Sequence, residues 1–269
     1  MYKIIACDLD ETLLGSDRTI PKRNIEAIRR AREAGVRFVP ATGRGYHSVE
    51  PTLKDLGLFQ KEHEYVISYN GGAITENKDN RLLHFQGISF NLARELYRRG
   101  QDYDVSIHIY TREMMYLYNA EPKDARSLSS RMKVTEISDR SIDFLKGTDI
   151  VKALYMNPDY SYLRKIQEDF ADLEDQMDVS YSSNRFIEFN HVGVNKGAGL
   201  LSLAGLLGVK PEETIAIGDN FNDLSMIKAA GLGVGVRNSI EGIKKDCGYI
   251  TAADNNEGAV AEVIEKFVL

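Results

Sequence analysis

The sequence predicts an α/β protein, a doubly wound, Rossmann-like parallel-sheet core interrupted by an inserted α+β domain. Three observations carry that expectation. Short apolar runs near both ends of the chain read as strands buried on both faces, and they alternate with helical patterns. Most of these runs stop abruptly at an acidic, Thr-Gly or Asn-Gly segment. Between about Leu83 and Asn190 the strands instead alternate polar and apolar residues, which suits a sheet with one wet face.

In chain order, Tyr2 to Cys7 reads as the first strand, ending at Asp8-Leu9-Asp10. Thr19 and Pro21 open a helix with Ile25, Ile28 and Ala31 on one face, and Gly35 closes it. Val36 to Ala41 is a second strand, ending at Thr42-Gly43-Arg44, and a helical stretch containing Pro51 runs on to Gly57. Tyr65 to Ser68 is a third strand, ending at Asn70-Gly71-Gly72, which reads as a simple tight turn. The middle region is expected to hold strands at Val105–Thr111, Met114–Asn119, Ile150–Met156 and Arg185–Phe189. It is also expected to hold a helix from Tyr160 to Met177, with Leu163, Ile166, Phe170 and Leu173 at helical spacing. After Asn195 the buried texture returns: a helix through Gly199 to Leu207, a strand at Glu213–Gly218, a helix to Ala230, a strand at Gly233–Val236, and helices near Ile240–Lys245 and through Phe267. Residues 1–84 and 190–269 are thus expected to form the core, with residues 85–189 inserted into it.

The chain has 269 residues and a formal net charge of −6, with 43% hydrophobic and 28% charged residues. That composition is globular and is neither disordered nor disulfide-rich. Its acidity argues against a nucleic-acid partner, which needs a basic face. The two cysteines, Cys7 and Cys247, show no metal-ligand spacing and read as free thiols. No signal peptide or membrane-spanning run is expected, so a cytoplasmic protein is the default, with no membrane and no obligate protein partner.

Open α/β sheets bind ligands outside the carboxyl ends of their strands. Four segments converge there: Asp8 to Thr12, Thr42-Gly43, Lys196, and Gly218 to Asp223. Asp8 and Asp10 share one side of an extended chain, so they suit a cation or a shared proton. One carboxylate could attack phosphorus and the other transfer protons; an ordinary Asx turn fits the same residues. Asp219 and Asp223, with Asn220 and Asn222 between them, offer hard oxygen ligands for Mg²⁺ or, alternatively, a helix N-cap. Thr42 and Gly43 could cradle phosphate or form a plain turn. Lys196 could neutralise phosphate or be a solvated surface group. Arg44, Tyr46 and His47 could face a substrate.

Together these segments resemble the haloacid dehalogenase (HAD) superfamily of phosphotransferases. The resemblance rests on Asp8-Leu9-Asp10-Glu11-Thr12-Leu13-Leu14, Thr42-Gly43-Arg44, Asn195-Lys196-Gly197 and Gly218-Asp219-Asn220-Phe221-Asn222-Asp223, in that order along the chain. The insertion between the second and third motifs resembles the α+β cap of the Cof-type branch, which contains small-molecule phosphatases.

The resemblance implies a Mg²⁺-dependent phosphatase of small phosphorylated metabolites, sugar phosphates or phosphorylated cofactors, working through an aspartyl-phosphate. Asp8 would be the nucleophile and a Mg²⁺ ligand. Asp10 would be the general acid/base and bind the metal through its backbone carbonyl. Asp219 would ligate Mg²⁺ directly, with Asn220 or Asp223 completing the site directly or through water. Thr42, Gly43, Lys196, Asn222 and the Leu9 N–H would hold the phosphate. The cap would close over the site, with its crossings near Leu83–Gln86 and Glu188–Val192 as hinges. A phosphomutase of the same superfamily is the nearest alternative, and a non-catalytic phosphometabolite-binding protein a more distant one. One position departs from the family pattern: Glu11 stands where glycine is usual, which leaves open whether the loop is reshaped or needs no positive φ there.

Overall fold

The computed structural model describes residues 1–129, 132–182 and 184–269. The chain divides into two compact units, Met1–Phe85 with Asn195–Leu269, and Gln86–Val194.

The first unit opens with β1 (Ile4–Cys7), α1 (Lys22–Glu33), β2 (Arg37–Pro40), α2 (Glu50–Asp55), β3 (Tyr65–Ser68), β4 (Ala73–Glu76) and β5 (Arg81–Phe85). Pro51 falls in the first turn of α2, where a missing N–H costs nothing. The inserted unit holds α3 (Phe90–Gly100), β6 (Ser106–Thr111), β7 (Met115–Tyr118), α4 (Pro122–Ser129), β8 (Val134–Ile137), β9 (Ile150–Met156), α5 (Tyr160–Glu168), β10 (Met177–Ser182) and β11 (Phe186–His191). The chain then returns through α6 (Lys196–Leu206), β12 (Thr214–Gly218), α7 (Leu224–Ala229), β13 (Leu232–Gly235), α8 (Glu241–Lys244), β14 (Tyr249–Ile250) and α9 (Ala259–Phe267). No helix among the described residues is long and apolar enough to cross a membrane.

Five strands form the parallel core sheet in the order β14-β13-β12-β1-β2. Alternation along these strands feeds two apolar layers. Ile5, Cys7, Phe38, Ile215 and Ile217 pack with Ile28, Val263 and Ile264 of α1 and α9 on one face. Ile4, Ala6, Val39 and Ala216 pack with Leu200, Leu203 and Met226 of α6 and α7 on the other. All four residues of β1 are fully buried, which is why this segment reads as a continuous apolar run.

The third expected strand behaves differently. Beyond one parallel bridge from Ala41 to Ile67, β3 pairs antiparallel with β4, and β4 with β5. This three-stranded antiparallel extension escaped sequence reading because Ala73–Glu76 buries the polar Thr75 and Glu76, so it shows neither a continuous apolar run nor a wet face.

The inserted unit is a six-stranded sheet, β10-β11-β9-β6-β7-β8, antiparallel except for β7 against β8. Sequence reading ends the insertion at residue 189. Here β11 runs to His191, paired with Met177, and Gly193 N–H donates to Asp178 Oδ2 at 2.8 Å, so residues 190–194 fold with the insertion. The expected helix from Tyr160 to Met177 is also shorter. It stops at Glu168, a single turn covers Ala171–Leu173, and Met177 starts β10. Leu163, Ile166, Phe170 and Leu173 are all buried, so their spacing reports burial faithfully but not helical continuity.

One face of this sheet buries charge. Lys152 and Glu188 form an ion pair, and Ser182 Oγ donates to Glu188 Oε1 at 2.5 Å. His108, 2% exposed, sits beside Lys152 and Arg185. Burial, reinforced by these cations, pulls its pKa from 6.5 down to about 3. Below pH 6.5 the unfolded chain therefore takes up a proton that the folded chain refuses, so this group removes stability as pH falls from 6.5 toward 3. Urea unfolding across that window should show wild type losing stability more steeply than His108→Gln. The difference should approach about 1.4 kcal/mol per pH unit, and equal slopes would contradict this environment for His108.

Candidate active site

The site of the first unit is built on the carboxyl ends of three adjacent strands. Asp8 follows β1, Thr42 lies just beyond β2, and Asp219 follows β12; β1 lies between the other two. The strand pairing continues into the loops, since Asp8 N–H donates to Ile217 O at 2.9 Å and Ala41 N–H to Cys7 O at 2.8 Å. These three loops are therefore neighbours as a direct result of strand register.

α6 brings in the lysine. Asn195 caps it, its side chain accepting from Ala198 N–H at 2.9 Å, which sets Lys196 in the first turn. Lys196 is completely buried. Its Nζ donates to Asp8 Oδ1 at 2.5 Å and to Asp223 Oδ1 at 2.6 Å. The solvated alternative for this lysine is thus excluded. The close fit of this helix depends on Gly71, with φ at 99°. A Cβ there would lie 2.2 Å from the carbonyl oxygen of Asn195.

Asp223 does several jobs. Its Oδ2 accepts from the N–H groups of Asp219 (2.9 Å) and Asn220 (3.1 Å), while Oδ1 takes Lys196. Asn220 Oδ1 accepts from Phe221 N–H at 2.8 Å, so the capping role holds for Asn220 as well. Gly218 is needed for this turn, because a Cβ would stand 2.4 Å from that of Asp223.

Carboxylate oxygens of Asp8, Asp219 and Asp223 lie within 4.8 Å of one another, all buried. Three carboxylates facing the single ammonium of Lys196 leave two negative charges uncompensated. Burial and that excess together set the electrostatics. Burial, with Asp223 nearby, pushes Asp8 up to about 8 despite Lys196. Burial and Asp223 push Asp219 up to about 6. Burial works against the charge on Lys196, but Asp8 and Asp223 outweigh it and hold the ammonium above its ordinary value. A hard divalent cation matches this donor set in charge and in oxygen chemistry.

The remaining expected residues spread around this centre. Asp10 is half-exposed and stands apart from the triad, in a bidentate ion pair with Arg44 that includes Nε to Oδ2 at 2.9 Å. Thr42 is buried and its Oγ1 accepts from Arg44 N–H at 3.1 Å, leaving its own proton to donate elsewhere. Asn222 is exposed, and its Nδ2 lies 3.4 Å from Asn70 Oδ1. Leu9 is fully buried at the start of the loop. Tyr46, one of the residues that could face a substrate, is buried edge-on against Tyr69 with ring centres 6.1 Å apart.

Three features of the site escaped sequence reading. Thr12 Oγ1 donates to Asp219 Oδ1 at 3.0 Å, tying the two acidic loops together; the D-x-D-x-T spacing was the available signal. Arg44 clasps Asp10, a pairing between separate loops with no sequence signal. Asn70 is more than a turn residue. It adopts φ 54°, as Asn tolerates, and its side-chain amide stands against Gly43, 3.2 Å from where a Cβ would be.

Comparison with known proteins gives a consistent pattern. A family profile described as haloacid dehalogenase-like hydrolase matches residues 5–264. YxeH of Bacillus subtilis (strain 168) is 30% identical over 270 residues, covering 100% of this chain and 99% of that protein. A second B. subtilis (strain 168) protein, the 5-amino-6-(5-phospho-D-ribitylamino)uracil phosphatase YcsE, is 31% identical over 272 residues, covering 99% and 96%. The crystal structure of a haloacid dehalogenase-like hydrolase from Bacteroides thetaiotaomicron superposes with a TM-score of 0.86 at 32% identity, covering 99% of both chains.

Removing the central ammonium should be costly. Lys196→Met leaves two buried carboxylates without their partner and should destabilise the protein by about 3–5 kcal/mol in urea unfolding with EDTA present. A loss below about 1 kcal/mol, the range of exposed ion pairs, would contradict the buried pairing.

Proposed function

Since the chain belongs to the haloacid dehalogenase-like hydrolase family, we propose that it hydrolyses phosphomonoesters of small metabolites through an aspartyl-phosphate formed on Asp8, with Mg²⁺ as its cofactor. The observation that carries this reading is the buried Asp8–Asp219–Asp223 triad around Lys196, beside Thr42 and Gly43 at the strand ends. Asp8 and Asp219, with the backbone carbonyl of Asp10, would hold the metal. Asn220 or Asp223 would complete its site directly or through water. When bound, the cation supplies the positive charge that lets an anionic carboxylate approach an anionic phosphate.

The chain's own residues supply the rest. The Thr42 hydroxyl, the N–H groups of Gly43 and Leu9, the Lys196 ammonium and the Asn222 amide orient the phosphate. Asp8 Oδ forms a bond to phosphorus as the bond to the ester oxygen breaks. Asp10, in its protonated form and released from the Arg44 ion pair, gives a proton to that leaving oxygen. It then takes a proton from the water that attacks the aspartyl-phosphate, releasing inorganic phosphate and restoring Asp8. The substrate class is sugar phosphates or phosphorylated cofactors. The compound in the name of YcsE belongs in the first test panel.

Phosphate release from such a panel, with Mg²⁺ and with EDTA, tests the reading. Wild type should release phosphate only with metal. Asp8→Asn should lower kcat at least about a thousandfold, and Asp10→Asn about a hundredfold or more. Substantial turnover by Asp8→Asn would overturn the assigned nucleophile. Absence of release, with isomer conversion of hexose phosphates, would identify a mutase instead.

A further inference from the structure

Glu11 has φ 59° and ψ 13°, the left-handed conformation, directly after Asp10. That conformation is unfavourable for a residue with a Cβ, so contacts that hold it count. Two asparagines distant in sequence surround it. Asn238 Nδ2 donates to the backbone oxygen of Glu11 at 2.8 Å. Asn255 is buried, and its Nδ2 lies 3.2 Å from Glu11 Oε2 and 3.1 Å from Leu14 O, on the far side of the same turn. The backbone N–H of Asn255 donates to Asn238 Oδ1 at 3.0 Å, which fixes the Asn238 amide beside Asn255. The segment after Asn238 reaches the other acidic loop. Ser239 Oγ donates to Gly218 O at 3.1 Å, and Ile240 N–H to Asp219 O at 3.0 Å. One short stretch thus grips both the loop that carries Asp10 and the loop that carries Asp219.

We propose that Asn238 and Asn255 are positioning residues that hold Glu11 left-handed and so set where Asp10 stands relative to Asp8 and Asp219. They supply by hydrogen bonding what glycine would supply by conformational freedom. The inference rests on the phosphatase reading, with Asp10 as the proton donor. A displaced proton donor matters most when the leaving group needs a proton. Its loss should therefore weigh on an alkyl phosphate and little on p-nitrophenyl phosphate, whose leaving group departs as a stable anion.

The test is phosphate release from a sugar phosphate and from p-nitrophenyl phosphate by wild type, Asn238→Ala, Asn255→Ala, Glu11→Gly and the two double variants. The asparagine variants should lose about tenfold in kcat on the sugar phosphate, with KM within about twofold and a much smaller loss on p-nitrophenyl phosphate. In the Glu11→Gly background the same substitutions should cost about twofold or less, because glycine keeps the turn unaided. Asn238 is exposed, so Asn238→Ala carries the test if the buried Asn255→Ala does not fold. Losses equal on both esters, losses undiminished beside Glu11→Gly, or wild-type kcat in the folded Asn238→Ala would each overturn the proposal. Absence of release by wild type from these esters and from the whole metabolite panel would instead overturn the phosphatase reading on which it rests.

Discussion

A buried ammonium between two buried carboxylates organises the first unit. Lys196 has no exposed surface, and it meets Asp8 from the first strand loop and Asp223 from the loop after β12. In a dry interior such a group must be paired or neutralised. That requirement fixes the entry of α6, and α6 in turn needs Asn195 as its cap and Gly71 as its close neighbour. The lysine does not complete the balance, since Asp219 adds a third carboxylate. Burial, with the neighbouring carboxylates, raises Asp8 and Asp219 above ordinary carboxylates and leaves an oxygen donor set that suits a divalent cation.

The sheet makes this concentration of charge possible. In a parallel sheet every strand delivers its following loop to the same edge, so residues far apart in sequence meet without special packing. Asp8, Thr42 and Asp219 meet in this way because β1 lies between β2 and β12. Thr12 then links the first and last of these loops through Asp219. The fold's stability comes from the two apolar layers behind this edge, where β1 contributes Ile5 and Cys7 to one and Ile4 and Ala6 to the other. The carboxylates at the edge draw on that stability, since gathering like charges in a buried place costs free energy.

Legibility in the sequence followed the range of the signal. Apolar runs that end at acidic or Thr-Gly segments marked β1, β2 and β12 and the loops after them, because strand burial and loop chemistry are local properties of the chain. The same reasoning failed where one local pattern fits two structures. Leu163 to Leu173 keep a helical spacing through a helix that ends at Glu168, since burial on one side is all that the spacing reports. β4 and β10 were missed for different reasons: β4 buries the polar Thr75 and Glu76 and so shows no apolar run, and β10 is a largely polar strand that begins at Met177, where the expected helix ends.

By itself the sequence determined the fold class, the family resemblance and the identity of the acidic, threonine and lysine residues, because motif spacing and apolar periodicity are written in consecutive residues. Tertiary structure alone decided what those residues face. It placed Arg44 on Asp10, Asn70 against Gly43, and Asn238 and Asn255 around the left-handed Glu11. Each of these contacts joins loops from different strands. Their distances depend on which strands are adjacent and in what register, and that is settled only when the whole sheet has formed.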